Sequence, residues 1–382
     1  MQPIPPNYRE IPRHFRRMRA IASRFGALTY KLSRLHALLT PCTSVNALGK
    51  GTPCVSLSFL AHPAKDKSDG FILTSRTEKK LEVWVSDGGF ATGETLSELL
   101  SLRKQLLKAG GFEKEINNPR CKLEVTYLVS HFHIDHINEG IYHILPSPFI
   151  RVKQVYFPHI SVYAQDRDHI LERNGDIGLR SRFMLSQRAY QPLADMMDMP
   201  FGACRTVPFG EGSITLMMPD IDWGAPEYRK RLAEMYDITA PEELAKATPV
   251  QVINSNCLIA RIEYAGRSML LTGDAMKKTF EFDDEPFDRL VSQYGDTLKS
   301  DIVKYPHHGQ ARNPAWKTVR DKLLIPSPDA MVVLTGHNAH THAAPYLTEN
   351  NVPWVDLREK THTFTITPDG MIRHTTGNVT LL

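Results

Sequence analysis

Leu128-Val129-Ser130-His131-Phe132-His133-Ile134-Asp135-His136 decides how this chain reads: an apolar run passes directly into three histidines and an aspartate. Leu123 to Val129 has the composition of a buried strand, and in extended backbone residues two apart point to the same side. His131 and His133 can therefore grip one cation together. Asp135 and His136 follow where the chain is expected to turn towards a helix beginning near Asn138, which aims them at the same cavity and at a second cation. One short loop thus offers ligands to two metals.

Two downstream stretches repeat the pattern of a strand delivering a ligand to a loop. Met269-Leu270-Leu271-Thr272-Gly273-Asp274-Ala275 puts a carboxylate after an apolar strand and a glycine that lets the backbone come close. Asp274 is the expected bridge, because one carboxylate can give an oxygen to each of two dications about 3.5–4 Å apart and lower their repulsion. Asp301-Ile302-Val303-Lys304-Tyr305-Pro306-His307-His308-Gly309 is the other. Adjacent side chains diverge, so one of the two histidines is expected to face the metal: His307 as ligand, with His308 behind it or donating to the transition state.

The predicted metal ligands are His131, His133, Asp135, His136, Asp274 and His307, and the predicted catalytic groups are Asp135, Asp274, His308 and His342. His342 is chosen from the cluster His337, His340, His342. His143, His159 and His169 read as structural or solvent-exposed.

The remainder of the chain is read against that centre. Its 382 residues, 42% hydrophobic and 23% charged, describe a globular protein with a sizeable core, and the length fits one large α/β unit with appendages. Short strands are predicted at 54–61, 81–86, 123–129, 152–157, 258–264, 268–272, 302–304, 330–334 and 363–367, with a helix over 95–109. Tyr163 to Ala247 is polar, Met-rich and helix-biased apart from Ser213 to Met217, and reads as an insertion (about 163–247) that shapes the cleft.

Residues 1–40 read as a basic helical extension ahead of the main domain, 41–382. Eight cationic residues from Arg9 to Arg34 face the single acid Glu10, while Phe15, Met18, Ile21, Ala22, Phe25, Leu28, Leu32 and Leu35 fall at helical steps. A net charge of +4 neither demands nor forbids a nucleic-acid partner. Five scattered cysteines without a CxxC pair suggest neither disulfides nor a thiolate metal knuckle, and a cytoplasmic location is expected. No apolar run approaches the ~18–20 residues of a membrane span, so no stable membrane insertion is expected.

In order and spacing these elements resemble the metallo-β-lactamase superfamily, and within it the hydrolase domain of ComEC-like competence proteins. The resemblance implies an αββα four-layer sandwich of α/β class, over roughly residues 40–382 outside the insertion. Gly49-Lys50-Gly51 is similar to the family's Gly-x-Gly turn, though the acid that often follows is missing. Ser86-Asp87-Gly88-Gly89 is similar to its acidic-glycine turn, which makes Asp87 a buried loop-ordering acid and not a ligand. Asn254 to Ile259 resembles the entry to the Gly-Asp strand, Lys304 to Gly309 the Lys-x-x-His-His-Gly motif, and Gly336-His337-Asn338 with His342 the final loop. Many members supply a third histidine to the first metal where this chain has Asn254 and Asn256. That metal is left with His131, His133, Asp274 and water.

The expected function is a metal-dependent hydrolase with two zinc ions, manganese being the alternative, that cleaves phosphodiester bonds by attack of metal-activated hydroxide. Nucleic acid or a small phosphodiester is the expected substrate partner. Two other readings remain open at this point: hydrolysis of a small ester such as a phosphorylcholine-type diester, a cyclic nucleotide, a lactone or a thioester, or a non-catalytic binding protein on the same scaffold.

Overall fold

A computed structural model describes residues 43–62, 68–159, 177–221, 253–275, 286–309, 317, 319–336 and 339–380. The expected helical extension at 1–40, and residues 160–176 and 222–252 of the expected insertion, lie outside the described residues.

In chain order the elements are β1 (Thr43–Ser44), β2 (Cys54–Phe59), β3 (Gly70–Arg76), β4 (Leu81–Asp87), α1 (Glu94–Ala109), β5 (Cys121–Leu128), α2 (Ile134–Glu139), β6 (Ile150–Pro158) and α3 (Ile177–Tyr190). Then come β7 (Asp195–Met199), β8 (Cys204–Phe209), β9 (Gly212–Met217), β10 (Ile259–Tyr264), β11 (Arg267–Leu271) and α4 (Pro286–Tyr294). The chain finishes with β12 (Ile302–Lys304), β13 (Met331–Leu334), α5 (Ala339–Glu349), β14 (Trp354–Asp356), β15 (His362–Ile366) and β16 (Ile372–Thr376). These strands form two sheets, ordered β16-β15-β2-β3-β4-β5-β6-β7, with β1 beside β5, and β14-β13-β12-β11-β10-β9-β8.

Alternate residues of the central strands serve opposite faces, and both faces are buried, which is why these strands read as continuous apolar runs. In β4, Leu81, Val83 and Val85 pack into a core with Leu99, Leu102, Leu106 and Leu107 of α1, while Trp84 faces the second sheet. In β10 and β11, Ala260, Ile262, Met269 and Leu271 meet Trp84, Leu57 and Phe364 between the sheets. Ile259 and Leu270 point the other way, towards Leu290 of α4 and Ala343 and Leu347 of α5. Helices, sheet, sheet, helices: the molecule is a mixed α/β sandwich of four layers, as the resemblance implied. Trp84 stacks on Tyr156 of its own sheet at 5.3 Å and ties the two sheets by meeting the Phe209 ring of β8 edge-on at 5.9 Å.

Residues 177–221, expected to lie in a helix-biased insertion, are built into both sheets. They supply α3, the edge strand β7 of the first sheet, and β8 and β9 of the second. β8 exposes most of its side chains and β7 exposes Asp195 and Asp198, so neither shows the apolar alternation that marks a strand in sequence.

Strands β4 to β7 run parallel, as do β11 to β14. Their carboxyl ends carry Asp87, the histidine loop, Asp274 and the His307-His308 turn, and in parallel sheets this is the end at which ligands are bound. Among the described residues no helix is long and apolar enough to cross a membrane.

Candidate metal centre

The histidine loop leaves β5 and starts α2 at once. His133 is the residue before the helix (φ −105°, ψ 159°) and its carbonyl accepts the Ile137 N–H at 3.0 Å, so the helix begins at Ile134 and not near Asn138. Asp135 and His136 therefore sit on its first turn, both buried, while Ile134, between His133 and Asp135, is 44% exposed at the rim.

Three contacts fix the loop in place. The Gly89 N–H donates to the His136 carbonyl at 2.7 Å, Leu258 N–H to the Ser130 carbonyl at 2.9 Å, and Asp69 N–H to the Asp135 carbonyl at 3.0 Å. Glu139, at the end of α2, reaches the start of α1, where its carboxylate accepts from Gly93 N–H (2.9 Å) and Leu96 N–H (3.1 Å). These are donors that a helix start leaves without intrahelical partners.

Asp274 is the hub. Its Oδ1 lies 3.3 Å from His136 Nε2, and its Oδ2 lies 3.1 Å from His308 Nε2, 3.7 Å from His307 Nε2 and 4.0 Å from His131 Nε2. His131 Nε2 is 3.1 Å from His133 Nδ1, and His308 Nε2 is 3.2 Å from Asp135 Oδ2. Gly273 makes this possible: its φ of +52° is left-handed, and a Cβ there would stand 3.1 Å from both Cys257 Sγ and Ser130 Cβ.

Two groups could each hold a cation: His131, His133 and Asp274, and Asp69, His136, Asp274 and His308. The donor set is of the right chemistry, imidazole nitrogens and carboxylate oxygens. His136 Nε2 and His308 Nε2 are buried and lack a hydrogen-bond partner, which is what a site built for a cation leaves behind.

The structure brings His131, His133, Asp135, His136, Asp274 and His308 together, and it changes the roles expected of the histidine pair. His308 is fully buried and belongs to the second group, whereas His307 is 13% exposed and stands at its edge. Adjacent side chains diverge on a strand, but both residues have left-handed backbone here (φ 51° and 58°), and the turn swings both rings towards Asp274. Gly336 permits the close approach of the next loop, since a Cβ there would lie 2.9 Å from the His308 carbonyl. His342 sits on the first turns of α5, and among the described residues no hydrogen bond or ion pair joins it to the cluster. His159 is exposed and pairs with Asp198 at 2.8 Å, a surface contact.

Asp69 is the site residue that sequence reasoning missed. The turn that matters is Ser68-Asp69-Gly70, directly ahead of the apolar Phe71-Ile72-Leu73 of β3. Gly49-Lys50-Gly51, the expected counterpart, precedes β2, and Cys54 at the start of β2 pairs with Arg76 at the end of β3, away from the cluster. The signal was an Asp-Gly step at a strand boundary, the same signal that singled out Asp87-Gly88.

Asp87 and Asp69 play matching parts. Asp87 Oδ2 is 3.0 Å from His136 Nδ1 and accepts the Ser130 hydroxyl at 2.7 Å, while Oδ1 accepts the Ser130 N–H at 2.7 Å. Tyr127 donates its hydroxyl to the Asp87 carbonyl. On the other side Asp69 Oδ1 is 3.0 Å from His308 Nδ1. Each acid faces the Nδ1 of one histidine and leaves Nε2 for Asp274.

In the metal-free protein, burial alone would raise Asp274, but the positive charges of His308, His136 and Lys304 hold it well below the usual carboxylate range. Burial opposes a proton on His136, yet Asp274 and Asp87 overcome it and push its pKa up to about 10. His131 goes the other way, held well below its ordinary value by burial and by His136 and His133.

No protein-family model and no curated protein matches this chain. Solved structures with a similar course include the MIM-2 metallo-β-lactamase, 13% identical over 81% of this chain and 94% of that one, with a TM-score of 0.30. Unliganded yeast PDE1 is 11% identical over 80% and 98% with a TM-score of 0.39. Zn2+-bound PqqB from Methylobacterium extorquens is 8% identical over 74% and 85% with a TM-score of 0.35. At these TM-scores the likeness carries no argument about the site.

Proposed function

We propose that the protein is a metallo-β-lactamase-type hydrolase that holds two divalent cations, zinc by preference, and cleaves phosphodiester bonds. The observation that supports this is the position of Asp274, which belongs to both groups: Oδ2 lies near His131 of the first and His308 of the second, and Oδ1 near His136 of the second. His131, His133 and Asp274 would hold one cation; Asp135, His136, His308 and Asp274 the other. When bound, such a pair supplies Lewis-acid activation of water and of the phosphoryl oxygen.

The chain's own residues supply placement. Asp135 and Asp274 orient the attacking water, and Asp87 and Asp69 fix the rings of His136 and His308. His307, at the exposed edge of the cluster, is the group positioned to pass a proton to the leaving oxygen. Ile134 at the rim meets the substrate's apolar portion. The choice of phosphodiesters rests on the ComEC-like motif set, Asp274 with Lys304 to Gly309.

The test is cleavage of a bis-aryl phosphodiester by zinc-loaded wild type and His133→Ala. Turnover that the substitution lowers by about two orders of magnitude or more supports the proposal. Metal uptake without cleavage refutes the phosphodiester assignment and points to carboxylic esters and thioesters.

A further inference from the structure

Lys304 closes β12 with its side chain wholly buried inside the cluster, a costly position for an ammonium unless every donor is used. Nζ lies 2.5 Å from Asp69 Oδ2, 2.6 Å from the Gly273 carbonyl and 3.3 Å from Asp274 Oδ1. The ammonium thus faces three oxygens from two loops, one before β3 and one after β11.

Both oxygens of Asp69 are thereby committed, Oδ2 to Lys304 and Oδ1 to His308 Nδ1 at 3.0 Å. A cation on Asp69 would have to share an oxygen with one of these two contacts, and the ammonium on Oδ2 already supplies the positive charge that a cation would bring. Asp69 is one of four residues that together could hold an ion, but its partners assign it a different task.

We infer that Asp69 is a positioning residue and not a metal ligand: clamped by Lys304, it holds His308 in the tautomer and orientation that present Nε2 to the second cation. The inference rests on the two-cation reading above and adds a residue pair to it. Lys304 then serves as a resident cation that balances Asp69 and draws the Gly273-Asp274 turn against the β3 loop. The second cation is held by Asp135, His136, His308 and Asp274, and its affinity depends on a residue that does not touch it.

The experiment uses cobalt(II) as the probe on the full chain, with wild type, Asp69→Asn, Lys304→Met and the double variant. Stoichiometry is read by titration, and the hyperfine-shifted, solvent-exchangeable imidazole N–H resonances by proton NMR. Wild type is expected to take up about two ions and show a slowly exchanging N–H from His308. Asp69→Asn and Lys304→Met are each expected to bind the first equivalent as wild type does, to bind the second about 10–100-fold more weakly, and to lose that N–H to fast exchange. The double variant, which replaces the ion pair by neutral groups, is expected to regain thermal stability over either single variant without regaining the second site. Unchanged imidazole N–H resonances in Asp69→Asn together with a changed visible spectrum would make Asp69 a ligand and overturn the inference. If Asp69→Asn does not fold, an unchanged N–H in Lys304→Met overturns it equally. Wild type that takes up no cobalt overturns the two-cation reading itself, a result distinct from either.

Discussion

Asp87 Oδ2 stands 3.0 Å from His136 Nδ1, joining the end of β4 to the first turn of α2 across 49 positions of sequence. The same carboxylate accepts the Ser130 N–H and hydroxyl at 2.7 Å each, so one buried acid holds both the entry to the histidine loop and one of its rings. Asp87→Ala leaves three buried donors without an acceptor. A loss of about 3 kcal/mol in urea unfolding of the metal-free protein is expected, with metal affinity lowered about 10–100-fold in a chelator competition. An unchanged affinity would show that the ring does not depend on this bond.

The metal-free protein should lose stability in alkali. Burial disfavours the His136 proton, but Asp274 and Asp87 outweigh it and raise its folded pKa to about 10 from an ordinary 6.5. A raised folded pKa means that the contribution is fully present below pH 6.5 and is lost as the pH climbs through about 10. The unfolding midpoint of the chelated protein is expected to fall across that window. Metal must displace the same proton, so calorimetry in buffers of different ionisation enthalpy should detect proton release on binding near neutral pH. Binding without proton release would contradict the assignment of His136 as a ligand.

Glu139→Ala separates scaffold from site. The carboxylate satisfies the Gly93 and Leu96 N–H groups at the start of α1 and touches no member of the cluster's two groups. Its removal is expected to lower stability by about 1–2 kcal/mol, as other lost helix caps do. Metal content should stay at the wild-type value, and a fall in content with full retention of stability would reverse the roles.

Gly273→Ala should damage both. The residue's φ of +52° is unfavourable for a side chain, and the added Cβ would press on Cys257 Sγ and Ser130 Cβ at 3.1 Å. A loss of about 1–3 kcal/mol is expected, and because Asp274 is the next residue, metal content should drop with it. Thermal unfolding with metal analysis of the same sample checks both.

The cluster was legible in the sequence where a buried strand runs straight into the histidine loop. Leu123, Val125 and Tyr127 alternate into the helical layer, and the strand they mark carries His131 and His133 into place. Asp274 was legible for the same reason at the end of β11. Asp69 was not, because an acid ahead of a strand looks like an ordinary turn until the fold brings Lys304, 235 positions later, against it. A strand's divergence rule did not foresee that the left-handed turn at His307 and His308 brings both rings towards Asp274, with His308 the more buried. β8 and β16 escaped notice as edge strands with mostly exposed side chains, so burial wrote no period into them, and β7 as an edge strand with two exposed aspartates; β3 was missed although it is largely buried.

The central claim is that Asp274 joins two cation sites, and the most direct test is metal content by mass spectrometry on wild type and Asp274→Asn loaded with zinc and desalted. The account predicts about two ions per chain in wild type and fewer than about one in the variant, since both groups lose a shared ligand. Two ions retained by Asp274→Asn, or none in wild type, would contradict it.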